Sequence, residues 1–119
     1  MQTSFIKFAT FDCADALVAA RFWAAVLGGE LDAESTSEKA FVEAPGWGGP
    51  SMWFNRVPEP KTAKNRLHFD LRAPDTMRAE VERLQGIGAT ILKDHGHLVV
   101  MRDPEGNELC VEEGPGDAA

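Results

Sequence analysis

Two stretches of the chain, 60 positions apart, carry the same order of features. Each has a strand pattern, then an Asp able to cap a helix, then a Gly able to end it: Phe8, Asp15 and Gly28 in one, and His68, Asp75 and Gly88 in the other. Asp accepts hydrogen bonds from the first helical N–H groups, and Gly tolerates the left-handed conformation that ends helices. The repeat therefore predicts two modules related by a pseudo-twofold axis, with equivalent residues facing each other across a shared cleft.

Strand patterns of alternating polarity surround both predicted helices. They fall at about residues 4–12, 30–33, 40–43 and 51–57 in the first module, and at about 66–72, 90–92, 97–101 and 108–112 in the second. This order predicts an α+β fold and one domain of two βαβββ modules. The modules span residues 1–57 and 66–113, with a solvated linker at 58–65 and a frayed tail at 114–119.

Side chains should alternate between the two faces of each strand. In the first strand of the second module, Leu67, Phe69 and Leu71 are predicted to lie under a helix, with His68, Asp70 and Arg72 lining the cleft. In the last strand of that module, Leu109 and Val111 take the helix side and Glu108, Cys110 and Glu112 the cleft side. In SMWFNRV, Met52 and Phe54 are predicted to be core and Trp53 and Asn55 to face the cleft.

Composition narrows the possible partners. A net charge of −7 argues against nucleic-acid binding, which needs a clustered basic face. No apolar run approaches the roughly 18 residues of a membrane span, and the first residues lack the pattern of a signal peptide. We therefore expect a cytoplasmic protein without a membrane partner, in which Cys13 and Cys110 stay as thiols.

Three segments resemble the vicinal oxygen chelate superfamily, which includes glyoxalase I, extradiol dioxygenases and bleomycin-resistance proteins. They are FDCAD followed by RFWAAVLGGEL, then NRLHFDLRAPD, then VVMRDPEGNELCVEE, in which DPEGNE forms an Asp-Pro-x-Gly turn between two strands. The resemblance covers nearly the whole chain. It implies the same two-module fold, which alone does not fix a reaction.

The resemblance also implies where a metal would bind, because metal-using members take ligands from the first and last strands of each module. Here those positions fall on Phe8, Trp53, His68 and Cys110. The two aromatic rings cannot ligate a metal, and Cys110 would have to bind as a thiolate where the family uses nitrogen and oxygen. We therefore expect no metal centre and no cofactor. His95 and His97, at a predicted hairpin, are interpreted as solvent-exposed.

Aromatic side chains in these positions favour binding of a small molecule. The predicted ligand-binding residues are Phe8, Asp12, Trp53, Asn55, His68, Asp70, Arg72 and Cys110, with Trp47 closing over the cleft from its loop. In the alternative interpretation, Phe8 and Trp53 are ordinary core, Asp12 pairs with Arg72, and Trp47 anchors its loop.

Three functions remain open from the sequence. The first is a metal-free protein that binds an aromatic or apolar metabolite or antibiotic. The second is a lyase, isomerase or hydrolase acting on a small carbonyl compound, with His68 as general acid or base. The third is a metal-dependent glyoxalase or dioxygenase, in which Glu43 or Glu108 would join His68. In each case open sheet edges favour a homodimer.

Overall fold

The fold was obtained as a computed structural model that describes residues 1–45 and 49–118. The chain divides into two compact units, the first covering Met1–Pro60 and the second beginning at Lys61. Each unit contains one helix and one four-stranded sheet, so the fold is of the predicted α+β class. No helix within the described ranges is long and apolar enough to cross a membrane.

The first unit follows the predicted βαβββ order. Its elements are β1 (Phe8–Cys13), α1 (Ala16–Leu27), β2 (Glu30–Leu31), β3 (Lys39–Glu43) and β4 (Ser51–Arg56). The sheet order is β1-β4-β3-β2, with β1 parallel to β4 and the other pairs antiparallel. The first and last strands of the unit are therefore neighbours.

The second unit repeats this topology. Its elements are β5 (Phe69–Arg72), α2 (Met77–Gly86), β6 (Thr90–Asp94), β7 (Leu98–Arg102), β8 (Glu108–Glu112) and a 3-10 turn (Pro115–Asp117). The sheet order is β5-β8-β7-β6, again with a parallel pair between the first and last strands. The predicted β8 bounds are confirmed.

Helix α1 begins and ends where the sequence predicts. The Asp15 carboxylate accepts hydrogen bonds from the amides of Leu17 and Val18, and Gly28 ends the helix with a φ of 69°. Trp23 is buried on the inner face of the helix, as predicted, and its ring lies 5.6 Å from that of Phe11. The helix thus covers one face of the first sheet and leaves the other face to the site.

Helix α2 begins differently from the prediction. Its N-cap is Thr76 and not Asp75, with the Thr76 hydroxyl accepting from the Ala79 amide. A second cap comes from the C-terminal segment, because the Asp117 carboxylate accepts from the Met77 amide at 2.7 Å. Because Asp117 is 40 positions from Met77, the sequence around the helix could not predict this cap.

The prediction that residues 114–119 form a frayed tail is wrong for the described residues 114–118, which contact the start of α2. Residues 114–118 turn back over the start of α2, where the Gly116 amide donates to the carbonyl of Asp75. Gly114 lies so close to the carbonyls of Ala73 and Asp75 that a Cβ would collide with both. The described part of the tail is therefore built into the second unit.

Strands β1 and β5 are shorter than predicted. Strand β1 begins at Phe8, opposite Ser51, the first residue of β4. Strand β5 begins at Phe69, opposite Leu109, so His68 precedes the strand. Leu67, predicted to be packed under a helix, is 76% exposed and lies two residues before the first paired residue of β5.

Alternation holds in β4 and in residues 109–111 of β8. Met52 and Phe54 of β4 are buried, as are Leu109 and Val111 of β8. Trp53, Asn55 and Cys110 are only partly buried on the opposite faces. The sheets therefore present the predicted site residues on the faces away from the helices.

Candidate functional site

The two units place equivalent residues at equivalent points of their sheets. In the first unit Ala9 pairs with Met52, and in the second Phe69 pairs with Leu109. Phe8 comes directly before Ala9, as His68 does before Phe69. Trp53 comes directly after Met52, as Cys110 does after Leu109. The match of Trp53 with Cys110, inferred from the sequence, agrees with the strand register.

Three rings form the aromatic face of the first unit, which we define as Phe8, Phe41 and Trp53. The Phe8 ring lies edge-on to the other two, with centroids 5.8 Å from Phe41 and 6.2 Å from Trp53. Phe41 and Trp53 are 4.6 Å apart. These separations are typical of favourable aromatic pairs. The cluster offers a partly exposed apolar surface.

Sequence reasoning missed Phe41. Its neighbours Ala40 and Val42 are buried in β3, so alternation directs Phe41 to the opposite face, where it lies in register with Trp53. The alternating pattern of β3 could have identified it. Phe41 gives the aromatic face a second large ring beside Trp53.

A shallow cavity of about 250 Å³ adjoins the aromatic face. Its lining residues are Asp32, Glu34, Ser35, Thr36, Lys39, Phe41 and Trp53. The Lys39 ammonium lies 5.1 Å from the Trp53 ring centroid, a cation–π geometry. The cavity thus combines an aromatic floor with a cation and two carboxylates.

Asp12 and Asn55 lie further along the same sheet. They are register partners in β1 and β4, with Asp12 exposed and Asn55 partly buried. The Asn55 carbonyl accepts a hydrogen bond from the Cys13 thiol at 3.5 Å. These two side chains add polar groups beyond the rings.

In the second unit three predicted site residues come together. His68 Nε2 lies 3.5 Å from Asp70 Oδ1, and Asp70 is the register partner of Cys110. One donor atom from each of the three residues lies within 4.8 Å of the other two. We refer to His68, Asp70 and Cys110 as the donor cluster.

The surroundings of Cys110 raise the pKa of its thiol. Partial burial raises the pKa of Cys110, and Asp70 raises it further through its negative charge and by accepting a hydrogen bond from the thiol. Activated cysteines instead have a cationic or basic neighbour that lowers the thiol pKa. Burial and the Asp70 carboxylate therefore act against activation of Cys110 as a nucleophile.

Glu108, predicted to face the cleft, instead binds Lys61 and Asn65. It is buried, and its carboxylate accepts from the Asn65 amide at 3.1 Å and pairs with the Lys61 ammonium at 3.4 Å. Burial by itself would raise the pKa of Glu108, but these partners lower it below the usual value. Residues 61–65, predicted to be solvated linker, are thereby fixed to β8.

The remaining predicted residues, Arg72, Trp47, His95 and His97, belong to neither the aromatic face nor the donor cluster. Arg72 is exposed at the end of β5, opposite Glu112. Trp47 lies outside the described residues. His95 and His97 are exposed on either side of Gly96 in the β6–β7 hairpin, as predicted.

The metal centre implied by the resemblance does not fit the residues present. Its two positions in the first unit carry the rings of Phe8 and Trp53, which contact each other and offer no lone pair. Its two positions in the second unit carry His68 and Cys110. A site built from both units in the family's manner therefore lacks half of its ligands.

Comparison with known proteins identifies the family. A model of the glyoxalase-like domain matches residues 8–112. The chain belongs to the glyoxalase-like domain family. No curated protein sequence matches this glyoxalase-like domain.

Solved structures support the same fold. A possible glyoxalase from Bacillus cereus is 17% identical, with a TM-score of 0.67 over 92% of this chain and 99% of that one. The bleomycin-binding protein of Streptomyces verticillus, solved with copper(II)-bleomycin, is 18% identical, with a TM-score of 0.58 over 96% and 99%. The fosfomycin resistance protein FosX of Mesorhizobium loti is 14% identical, with a TM-score of 0.70 over 93% and 92%. At these identities the glyoxalase-like domain shares a fold with proteins of differing activity.

Proposed function

We propose that this glyoxalase-like domain binds a planar aromatic or apolar small molecule, a metabolite or an antibiotic, without a metal. The observation that carries the proposal is the aromatic face of the first unit. Phe8 is 39% exposed although its ring contacts two others, so the cluster leaves apolar surface in water. Burying such surface under a flat ligand is favourable. The likeness in fold to a bleomycin-binding protein is consistent with this use.

Lys39 gives the cavity a charge preference. Its ammonium lies over Trp53 and forms no ion pair within 4.0 Å with a carboxylate of the described residues. A ring stacked on Trp53 would meet this cation at its rim. The proposal therefore favours ligands whose planar part bears an acidic group.

Ligand binding can be tested with a panel of planar aromatic acids and matched neutral compounds, followed by calorimetry. Phe8→Ala and Trp53→Ala are each expected to weaken binding by roughly three- to tenfold, as for loss of an aromatic contact of about 0.5–1.5 kcal/mol. Val18→Ala is the matched control, because Val18 is similarly exposed but lies on α1. Equal affinity in Phe8→Ala, Trp53→Ala and Val18→Ala, or no binding by the intact chain, would reject the aromatic face as the site.

A second candidate function is acid–base catalysis by His68 on a small carbonyl compound, as a lyase, isomerase or hydrolase. It is favoured by the contact of His68 with Asp70, since a carboxylate 3.5 Å from the imidazole can orient the ring for proton transfer. His68→Gln should then abolish turnover while ligand binding to the aromatic face persists. A metal-dependent glyoxalase or dioxygenase is not proposed, because the first unit has no donor at the family positions.

A homodimer is part of the proposal. Phe5 and Ile6 precede β1 and are 84% and 78% exposed, which is unusual for large apolar side chains near an edge strand. A second copy of the chain that covers them would explain their retention on the surface. Sedimentation velocity should show a dimer at micromolar concentration and a shift to monomer in Phe5→Ser/Ile6→Ser. A 13 kDa species at all concentrations would contradict the dimer.

Cytoplasmic location belongs to the same proposal. It is supported by Cys13 and Cys110, which are not joined in a disulfide, since thiols persist in reducing compartments.

A further inference from the structure

We propose that the donor cluster of the second unit binds one soft divalent cation, such as Zn²⁺, through His68, Asp70 and Cys110. The proposal does not depend on the ligand of the aromatic face. It also differs from the family's metal centre, since every protein ligand comes from one unit and Asp70 takes part. The sequence analysis predicted all three as ligand-binding residues but assigned only His68 and Cys110 to metal-ligand positions.

The chemistry of the three donors selects the kind of ion. They offer an imidazole nitrogen, a carboxylate oxygen and a sulfur that becomes a thiolate when the metal displaces its proton. Zn²⁺, Co²⁺ and Cd²⁺ accept such mixed sets, whereas Mg²⁺ and Ca²⁺ prefer oxygen ligands alone. With three protein ligands, a fourth position would be open to water or to a ligand group.

The geometry is close to what a tetrahedral ion needs. Metal–ligand distances of about 2.0–2.3 Å place two ligands of one ion roughly 3.4–3.7 Å apart. His68 Nε2 and Asp70 Oδ1 are already 3.5 Å apart, and all three donor atoms lie within 4.8 Å. The β5–β8 ladder holds Asp70 opposite Cys110, and His68 comes two residues before Asp70, so the three donors lie on neighbouring chain segments.

The exposure of His68 and Asp70 limits the affinity of the donor cluster for a metal ion. His68 and Asp70 have side chains that are 39% and 54% exposed, so water competes for both ligands. The ion is therefore expected to exchange and to be lost on dialysis against a chelator.

Cobalt titration of the intact, reduced and chelator-treated chain tests the proposal. One equivalent of Co²⁺ should produce sulfur-to-cobalt charge-transfer absorption, and Zn²⁺ should remove it by displacement. Mg²⁺ should have no effect. Cys110→Ser should abolish the charge-transfer band, and His68→Gln and Asp70→Asn should each weaken Co²⁺ binding at least tenfold.

Matched controls separate the cluster from other donors. Cys13→Ser removes the other thiol, and His97→Gln removes an exposed histidine outside the cluster; both should titrate like the unmodified chain. His68→Gln changes an exposed side chain and should remain folded by circular dichroism, so its loss of binding is not a folding defect. The proposal is overturned if the band is absent, if it survives in Cys110→Ser, or if Cys13→Ser abolishes it.

Discussion

Leu109→Ala is expected to lower the free energy of unfolding by about 2–5 kcal/mol, among the largest effects of any single substitution in the second unit. Leu109 is fully buried in β8, between Glu108 and Cys110, and alternation directs it away from the donor cluster. Removing its side chain leaves a cavity that the paired strands β5 and β7 cannot close by moving. Urea unfolding followed by circular dichroism measures the loss.

Leu67→Ala is the matched control, because it makes the same chemical change in the same unit. Leu67 is 76% exposed, so this variant should change the unfolding free energy by no more than about 0.5 kcal/mol. A comparable loss in both variants would show that Leu67 is packed, as strand alternation had predicted.

Glu108→Gln is expected to destabilise the protein at neutral pH by about 1–3 kcal/mol, because Gln cannot pair with Lys61 and offers the Asn65 amide a weaker acceptor. The folded-state pKa of Glu108 is lower than its usual value. Its stabilising contribution is therefore fully present above the unfolded-state pKa and is lost as the pH falls through the folded-state pKa. The difference in stability between Glu108→Gln and the unmodified chain should shrink at acid pH.

Glu112→Gln provides the control for this pH dependence. Glu112 ends the same strand but is exposed, so Glu112→Gln should change the unfolding free energy by no more than about 0.5 kcal/mol. Thermal unfolding across a series of pH values makes the comparison. If the gap caused by Glu108→Gln stays constant down to acid pH, the ionised carboxylate is not what fixes residues 61–65.

Local patterns predicted the order of the elements and the faces of the paired strands. Asp15 and Gly28 bound α1 because capping depends on residues next to the helix end. Met52 and Leu109 are buried because alternation is imposed by the ladder. The same reasoning failed at Leu67, which lies outside the ladder.

Features that depend on distant partners could not be predicted. Asp117 caps α2 from the end of the chain, and Glu108 turns from the predicted cleft to hold Asn65. All three residues of the donor cluster were predicted to face the cleft, but the position of Asp70 opposite Cys110 arises from the β5–β8 register. In the first unit, Phe8 and Trp53 were predicted as site residues, whereas Phe41 was missed although the alternation of β3 directs it to the same face as Trp53.

The pairing of the first strand with the last in each unit has a consequence for the order of folding. The β1–β4 pair joins Phe8 to Ser51, so the first sheet cannot be completed until most of that unit has been synthesised. Such long-range parallel pairing is slow to form because loop closure precedes the gain from contacts. At roughly 5–20 residues per second, the ribosome gives the first unit several seconds to close β1 on β4 before β8 emerges. During this time β1 has no access to the equivalent last strand of the other unit, so vectorial synthesis protects two duplicated halves from exchanging strands.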